Sequence, residues 1–396
     1  MNPRLQSLQP YPFEKLRRLL ESVTPNARLA HISLGIGEPR HPTPEFIKRA
    51  LSDSLAKLAG YPPTAGSESL RQAIADWLAR RYRLHSIDWR TEVLPVNGSR
   101  EALFAFAQAV VDPTRCESVV LCPNPFYQIY EGAALLAGAS VHYMNTTADR
   151  GFAPDYGSVP EDIWPRVQLL YVCSPGNPTG RVLGLGDWTE IFALSDRYGF
   201  VIASDECYSE IYFDEAAPPL GALQAANQLN RGFERLVVFS SLSKRSNVPG
   251  MRSGFVAGDA EVLKAFLLYR TYHGGAMNPA VQEASVAAWR DESHVRENRS
   301  RYAEKFSRIT PMMRQVLEAE RPDAGFYLWA RTPIADQEFA RRLYAEQHVT
   351  VLPGSFLARA AGGINPGTNY VRMALVAELG ECLEAAQRIV EFAKHL

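Results

Sequence analysis

The sequence lacks the glycine-rich signatures of the two commonest nucleotide-binding sites. No G-x-G-x-x-G follows an early strand, because the stretch GIGEP at residues 35–39 has no third glycine, and no G-x-x-x-x-G-K-[ST] loop is present. A nicotinamide-dependent enzyme and a P-loop enzyme are therefore both poor interpretations of this chain.

Net charge is also nearly absent. Lysine and arginine number 42 and aspartate and glutamate number 43, which gives a formal net charge of -1. Without a long-range positive field, nucleic acid and anionic lipid are not expected partners. The five cysteines are odd in number and form no C-x-x-C pair, so neither a disulfide framework nor a metal site is expected.

Long apolar runs are missing as well. No stretch approaches the length of a membrane span, and the opening MNPRLQSLQPYPFEKLRRLL has prolines and charges where a signal peptide has its apolar core. We therefore expect a cytoplasmic protein that does not associate with membranes.

What the sequence does contain is an alternation of short, β-branched apolar segments with helical patterns. At 396 residues the chain is longer than one hydrophobic core usually covers, so two domains are expected. Near-continuous apolar runs suit strands that are covered by helices on both faces. The pattern predicts an α/β fold with a mostly parallel sheet, followed after Pro279 by a smaller α+β domain. The predicted strands of the large sheet are residues 118–122, 140–144, 169–174, 200–204, 236–241 and 253–258.

Three of these strands are followed by polar side chains. Asn177 follows one strand, Asp205 and Tyr208 follow the next, and Lys244 follows the one after. Open parallel sheets bind ligands beyond the carboxyl ends of their strands, so these side chains are expected in one cleft. A lysine at a strand end is usually a solvated charge, but desolvation beside another cation such as Arg252 would suit Lys244 to Schiff-base chemistry.

Other segments allow a structural or a functional interpretation. Before an apolar helical run, Ser99 would serve as an ordinary N-cap, or the helix N-terminus would bind a phosphate. Tyr127 could simply be a core residue, as most aromatic side chains are. Arg372 lies within the apolar segment YVRMALV with no matching acid nearby in the sequence. Because an arginine there is costly unless it meets a carboxylate, we expect it to bind a carboxylate ligand.

In this order, the segments resemble those of the class I and II aminotransferases of fold type I, which use pyridoxal 5'-phosphate. The resemblance implies a mostly parallel seven-stranded sheet with helices on both faces and a smaller α+β domain. It divides the chain into an N-terminal arm with part of the small domain (1–44), a large cofactor-binding domain (45–278) and a small C-terminal domain (279–396). Single segments are weak signals, but the ordered set is specific: GIGEPRHPTP, YPPTAGSESLRQAI, NGSREAL, PNPFYQIYEGA, SPGNPTG, SDECYSE, SLSKRSNVPGMRSG and YVRMALV.

The resemblance also implies roles for the residues that contact the cofactor ring. Lys244 would hold the cofactor covalently and later move the proton. Asp205 would keep the pyridine nitrogen protonated, so that the ring withdraws electrons from the substrate Cα. Asn177 and Tyr208 would bind the phenolic oxygen of the ring, and Tyr127 would stack on it. The catalytic residues implied are Lys244, Asp205 and Tyr208.

Further residues are implied for the phosphate and the substrate. Tyr61 resembles a tyrosine that reaches the phosphate in the neighbouring subunit, which implies a homodimer with shared active sites. Arg372 resembles the clamp on the substrate α-carboxylate, with Gly37 and Asn177 beside it. The phosphate itself would be held by Gly98, Ser99, Arg100, Ser241 and Arg252.

The segments QPYPFEKLRRLL, RSNVPG, LLYRTYHG and AEQHVTVLPGSF further resemble the N-succinyl-LL-2,6-diaminopimelate aminotransferases of bacterial lysine and cell-wall precursor synthesis. That likeness implies ping-pong transfer from glutamate, with release of 2-oxoglutarate, to N-succinyl-2-amino-6-oxopimelate. The alternatives are an aminotransferase of another dicarboxylic or N-acylated amino acid, a lyase or decarboxylase, and a gene-regulatory module that binds the cofactor as an effector. For the distal carboxylate, Arg28, Arg40 and Arg245 are candidates by charge alone.

Overall fold

The structure is a computed structural model that describes residues 1–396. Its strands are β1 (Ile32–Ser33), β2 (Val93–Val96), β3 (Val119–Asn124), β4 (Ser140–Asn145), β5 (Val167–Cys173), β6 (Val201–Asp205), β7 (Leu236–Ser241), β8 (Gly254–Gly258), β9 (Glu318–Ala319), β10 (Tyr327–Arg331), β11 (Val349–Thr350), β12 (Leu352–Pro353) and β13 (Tyr370–Ala374). Its helices are α1 (Pro12–Leu20), α2 (Glu45–Asp53), α3 (Glu68–Tyr82), α4 (Ser99–Val110), α5 (Ile129–Ala137), α6 (Leu185–Tyr198), α7 (Ala222–Gln228), α8 (Leu242–Arg245), α9 (Ala260–His273), α10 (Pro279–Arg290), α11 (Ser293–Met313), α12 (Asp336–Gln347) and α13 (Leu379–Ala393).

The large sheet has seven strands in the order β2-β8-β7-β6-β5-β3-β4. The strands from β7 to β4 pair in parallel, whereas β8 runs antiparallel to both of its neighbours. This confirms the predicted α/β fold with a mostly parallel sheet. The three strands whose ends carry the candidate site residues, β5, β6 and β7, are direct neighbours.

Both faces of the central part of this sheet are buried, which explains why its inner strands are mostly apolar. In β3, Leu121 packs into one hydrophobic core, whereas Val120 and Cys122 pack into a second core on the opposite face. Successive side chains of a strand point to opposite faces, so a strand covered on both sides needs apolar residues at every position.

The sequence interpretation missed strand β2. Its four residues, VLPV, include Pro95, which has no N–H for a sheet and argues against a strand. Because β2 is the edge strand and pairs only with β8, a proline is tolerated there. Without β2, the residues alone accounted for six of the seven strands.

The C-terminal part forms a separate antiparallel sheet in the order β12-β13-β10-β9, with its own hydrophobic core. β1 pairs in parallel with β11, which joins residues near the N-terminus to this part of the chain. The domain boundaries stay a prediction, but Ala284 and Trp289 of α10 lie in a core of the large sheet rather than in the C-terminal core. None of the helices combines the length and the apolarity that crossing a membrane requires.

Candidate active site

The carboxyl ends of β5, β6 and β7 open into one cleft of about 470 Å³. The polar side chains expected after these strands all line it, which follows from the parallel pairing of the three strands. Those from the large sheet are joined there by residues of the N-terminal segment and the C-terminal sheet. The predicted site residues on its wall are Gly37, Ser99, Arg100, Tyr127, Asn177, Asp205, Tyr208, Lys244, Arg252 and Arg372.

Asp205 ends β6 and is buried, with 4% of its surface exposed. Its Oδ2 accepts a hydrogen bond from the Tyr130 phenol at 2.7 Å, and its Oδ1 accepts one from the backbone N–H of Cys207 at 3.2 Å. Burial, reinforced by the Asp205 charge, raises the pKa of the Tyr130 phenol well above its usual value. The phenol therefore keeps its proton and stabilises a buried carboxylate, which is the species needed to pair with a cationic ring nitrogen.

Lys244 lies in the single turn α8 that follows β7, and its side chain is half-buried. No carboxylate lies within 4.0 Å of its Nζ, and its amine lies 5.9 Å from the centre of the Tyr208 ring. The Tyr208 hydroxyl in turn lies 3.1 Å from that of Tyr327. An amine that is placed in a cleft without an acidic partner is available for covalent chemistry.

One end of the cleft is built to receive an anion. Gly98 caps α4 with a φ of 85°, and a Cβ at this position would lie 2.1 Å from Nη2 of Arg252. Glycine is thus required both for the backbone conformation and for the close approach of the guanidinium. Arg252 pairs with no acid; its Nη1 donates to the Pro249 carbonyl at 2.8 Å. A cation beside a free helix N-terminus favours a phosphate group.

The serines near this end differ from the sequence expectations in two details. Ser99 is the first residue of α4 rather than its N-cap, and its hydroxyl accepts from the Cys207 thiol at 2.9 Å. The Ser241 hydroxyl donates to Ser243 Oγ at 2.9 Å, and Ser243 rather than Ser241 lies on the cleft wall. The phosphate-binding role of Ser241 stays a prediction.

Arg372 also lines the cleft and is 3% exposed. Its Nη1 donates to Asn177 Oδ1 at 3.0 Å and its Nη2 donates to the Gly35 carbonyl at 2.9 Å. The guanidinium lies 4.2 Å from the centre of the Tyr327 ring, and its Nε has no hydrogen-bond partner. Two of the five N–H groups are used and no acid of the chain is paired with it, so the arrangement suits an incoming carboxylate.

Arg100 and Tyr127 form a contact that the sequence did not predict. Arg100 Nε donates to the Tyr127 hydroxyl at 2.6 Å, and its Nη2 donates to the Tyr11 hydroxyl at 3.1 Å. Burial raises the pKa of Tyr127, so its phenol stays neutral. Arg100 thereby fixes the ring of Tyr127 and joins the N-terminal segment to the cleft; its predicted contact with a phosphate stays untested.

The remaining candidates lie outside the cleft. Tyr61 is fully exposed, with no surface buried by the chain itself. Of the three arginines proposed on charge, Arg28 is exposed and Arg40 pairs with Glu381 at the surface. Arg245 points away from the cleft and is buried against Glu292. None of these arginines lines the cleft, so charge alone was a wrong guide to the site.

The sequence interpretation missed three residues of the site, of which Tyr11 and Tyr327 line the cleft and Tyr130 is buried behind it. Tyr130 supports Asp205 from 75 positions away, Tyr327 contacts both Tyr208 and Arg372, and Tyr11 comes from the N-terminal segment. Tyr130 carries a weak signal, because it follows Tyr127 at helical spacing. The others carry none, since an aromatic residue in an apolar segment is ordinarily a core residue.

The chain is similar to known proteins along almost its whole length. Residues 30–389 match the family Aminotransferase class I and II. The chain is 32% identical over 394 residues to an LL-diaminopimelate aminotransferase of Nitratidesulfovibrio vulgaris (strain DP4), with 98% of each chain covered. It is 33% identical over 393 residues to an LL-diaminopimelate aminotransferase of Aquifex aeolicus (strain VF5), covering 98% of this chain and 97% of that one.

Solved structures agree in fold. An aminotransferase of Neisseria meningitidis Z2491 superposes with a TM-score of 0.97 at 54% identity, covering 99% of this chain and 100% of that one. A probable N-succinyldiaminopimelate aminotransferase of Thermus thermophilus superposes with a TM-score of 0.84 at 29% identity, covering 96% of this chain and 98% of that one.

Proposed function

Because the chain belongs to the class I and II aminotransferases, we propose that it transfers the amino group of glutamate to N-succinyl-2-amino-6-oxopimelate in a ping-pong reaction. At the level of the family it is a transaminase that uses pyridoxal 5'-phosphate and acts on amino and oxo acids. The finer substrate is supported by the likeness of its segments and by the name of the Thermus neighbour. The names of the curated relatives favour a second candidate, LL-diaminopimelate.

The residues of the cleft fit the cofactor. Lys244 offers an amine without an acidic partner, and buried Asp205 offers a carboxylate for a protonated ring nitrogen. At the other end, the close approach of Arg252 to Gly98 leaves a cation beside the N-terminus of α4, where we place the phosphate. When bound there, pyridoxal phosphate withdraws electrons from the substrate Cα, which makes the Cα proton acidic enough to be removed.

The side chains of this chain then have separable tasks. Arg372 binds the α-carboxylate and so fixes the orientation of the substrate Cα. The Nζ of Lys244 would hold the cofactor and, once free, would accept the Cα proton as a general base. The Tyr208 phenol and the Asn177 amide, which both line the cleft, would bind the phenolic oxygen of the cofactor ring. The observation that carries this proposal is the meeting in one cleft of an unpaired lysine, a buried carboxylate and a buried arginine that faces no acid.

We also propose a homodimer in which Tyr61 reaches the cleft of the second copy. Its ring is fully exposed, as are most of Leu55 and Leu58 nearby in the sequence, which is costly for apolar side chains that stay in water. Sedimentation of the purified protein at micromolar concentration tests this. A monomer that binds the cofactor with full occupancy would contradict it.

The function is tested by the visible absorption spectrum of the purified protein with pyridoxal phosphate. We expect a yellow band that is lost in Lys244→Ala, and that bleaches when glutamate or N-succinyl-LL-diaminopimelate is added but not with aspartate. Absence of the band in the parent protein would refute the cofactor assignment of Lys244.

The same titration separates the alternatives. Bleaching by LL-diaminopimelate and not by its N-succinyl derivative would select the second candidate. Release of ammonia and oxo acid from an amino acid with no acceptor present would indicate a lyase instead of a transaminase.

A further inference from the structure

Behind the cleft lies a buried chain of hydrogen bonds that ends on the backbone of Lys244. The Asn298 side-chain Nδ2 donates to the Lys244 carbonyl at 3.2 Å. The Asn298 Oδ1 lies 2.8 Å from His41 Nδ1 and 3.1 Å from Asn247 Nδ2. The His41 Nε2 lies 2.7 Å from Lys305 Nζ, which also donates to the Leu375 carbonyl at 3.1 Å. These side chains are almost fully buried, and none of them lines the cleft.

The direction of this chain of bonds is fixed. A carbonyl only accepts, so the amide group of Asn298 that faces Lys244 is the NH₂ and the group that faces His41 is the oxygen. His41 Nδ1 must therefore carry a proton, and a neutral imidazole then accepts at Nε2, where Lys305 donates. Burial lowers the pKa of His41, which favours the neutral ring that this arrangement needs.

Asn298 is the only group of the chain that holds this carbonyl. α8 is one turn long, and no backbone N–H donates to the Lys244 oxygen. The α8 turn closes with a bond from the Ser246 N–H to the Leu242 carbonyl at 2.9 Å. Without Asn298, the carbonyl of the peptide after Lys244 would lose its hydrogen bond, and the position of that peptide would be less constrained.

We propose that Asn298, oriented by His41, is a positioning residue for Lys244, a role that rests on Lys244 being the cofactor lysine. The amide fixes the peptide from which the Lys244 side chain starts, so that the Nζ meets both the cofactor and the substrate Cα at the required distance. His41 comes from the N-terminal segment and Asn298 from α11, so the position of the lysine depends on elements far from it in sequence. Misplacement by about 1 Å costs on the order of a hundredfold in rate.

The test uses two variants of the full-length protein loaded with pyridoxal phosphate. Asn298→Ala removes both the donor and the acceptor. Asn298→Asp keeps the shape and the acceptor for His41 but presents an oxygen, instead of an NH₂, to the Lys244 carbonyl. Gln168→Ala is the control, because Gln168 is also a buried amide with bonds to Asp112 and Ser118, and it lies at the far end of β5.

Four quantities are measured: the melting temperature, the pH midpoint of the visible band of the lysine-bound cofactor, and kcat and KM with glutamate. We expect both Asn298 variants to shift the spectral midpoint by about half a unit or more and to lower kcat by roughly ten- to a hundredfold with little change in KM. Gln168→Ala should lower the melting temperature and leave the midpoint and kcat unchanged.

The proposal is overturned if Asn298→Asp folds and has the midpoint and kcat of the parent, because its acceptor alone would then suffice. It is also overturned if Gln168→Ala shifts the midpoint as much as the Asn298 variants do. Failure of the proposed function gives a different result, since the parent protein itself would then show no lysine-bound band.

Discussion

Arg372 is the residue for which the structure predicts a large effect of substitution on substrate binding and a small effect on stability. Its guanidinium is buried, holds only Asn177 and the Gly35 carbonyl, and pairs with no acid. A buried charge without a counter-ion is costly in the unliganded protein and becomes favourable only when a carboxylate arrives. Arg372→Gln should therefore remove most of the affinity for the substrate without removing a comparable part of the folding free energy.

The magnitude follows from the bonds that the substrate would make. A hydrogen bond to a charged group contributes about 1.5 to 3 kcal/mol, so losing a two-bond clamp costs about 3 to 6 kcal/mol. At 1.4 kcal/mol per factor of ten, glutamate should bind roughly a hundred- to ten-thousandfold more weakly to Arg372→Gln. Arg372→Lys keeps the positive charge but loses the planar guanidinium that binds a carboxylate through two hydrogen bonds. Its affinity for glutamate should lie about midway between those of the parent and Arg372→Gln on a logarithmic scale.

The assay is a spectral titration of the cofactor-loaded protein with glutamate, combined with urea unfolding in the absence of substrate. Arg331→Gln is the matched control, because Arg331 lies on the adjacent strand β10 and forms only an exposed pair with Glu318. We expect the unfolding free energy of Arg372→Gln to fall by less than about 2 kcal/mol, the cost of two ordinary hydrogen bonds. Glutamate affinity within about threefold of the parent, or a stability loss above about 4 kcal/mol, would refute this account of Arg372.

Two further predictions concern residues around the site. In Gly37→Ala the new Cβ would lie 1.9 Å from the Tyr327 hydroxyl oxygen and 2.6 Å and 2.7 Å from two carbons of its ring, so kcat/KM should fall about ten- to a hundredfold. Gly186→Ala is the control, because its Cβ meets no atom within 4 Å, and equal effects at both glycines would contradict the steric explanation. Lys305 faces His41, and burial lowers the pKa of Lys305 from its ordinary 10.5 to about 8 in the folded protein. Between about pH 8 and pH 10.5 the unfolded chain therefore binds more protons than the folded protein. The free energy of unfolding should rise with pH in this range. Urea unfolding measures this at about pH 8 and about pH 10. The difference in unfolding free energy between the parent and Lys305→Met should increase by on the order of 2 kcal/mol from the lower to the higher pH. A difference that is independent of pH would show that Lys305 does not titrate in this range.

Much of the large sheet and of its strand-end residues was predictable from the sequence. The runs that became β5, β6 and β7 are apolar throughout because both faces of the sheet are covered, and that is a local signal. Once these strands are taken as parallel neighbours, the residues that follow them must meet at one edge of the sheet. Asn177, Asp205 and Lys244 were therefore predictable as a group, and the structure brings them together.

The family resemblance added the identity of the cofactor, which the residue pattern alone did not contain. An amine, a carboxylate and an amide in a cleft suit several kinds of chemistry, and only the ordered set of segments narrowed them. The match of residues 30–389 to the class I and II aminotransferases confirms that part of the interpretation. Which amino acid is the substrate stays a proposal. None of Arg28, Arg40 and Arg245, chosen by charge to bind its distal carboxylate, lines the cleft.

What the sequence by itself determined is the set of residues whose position follows from the strand they end. What only the tertiary structure decided is the environment of those residues: Tyr130 beneath Asp205, Tyr327 against Arg372, and Asn298 on the Lys244 carbonyl. The reason is physical. Strand ends are fixed by local periodicity and by the backbone pairing of neighbouring strands, whereas a supporting side chain is chosen by packing between elements far apart in the chain, and packing leaves no periodic signal in sequence.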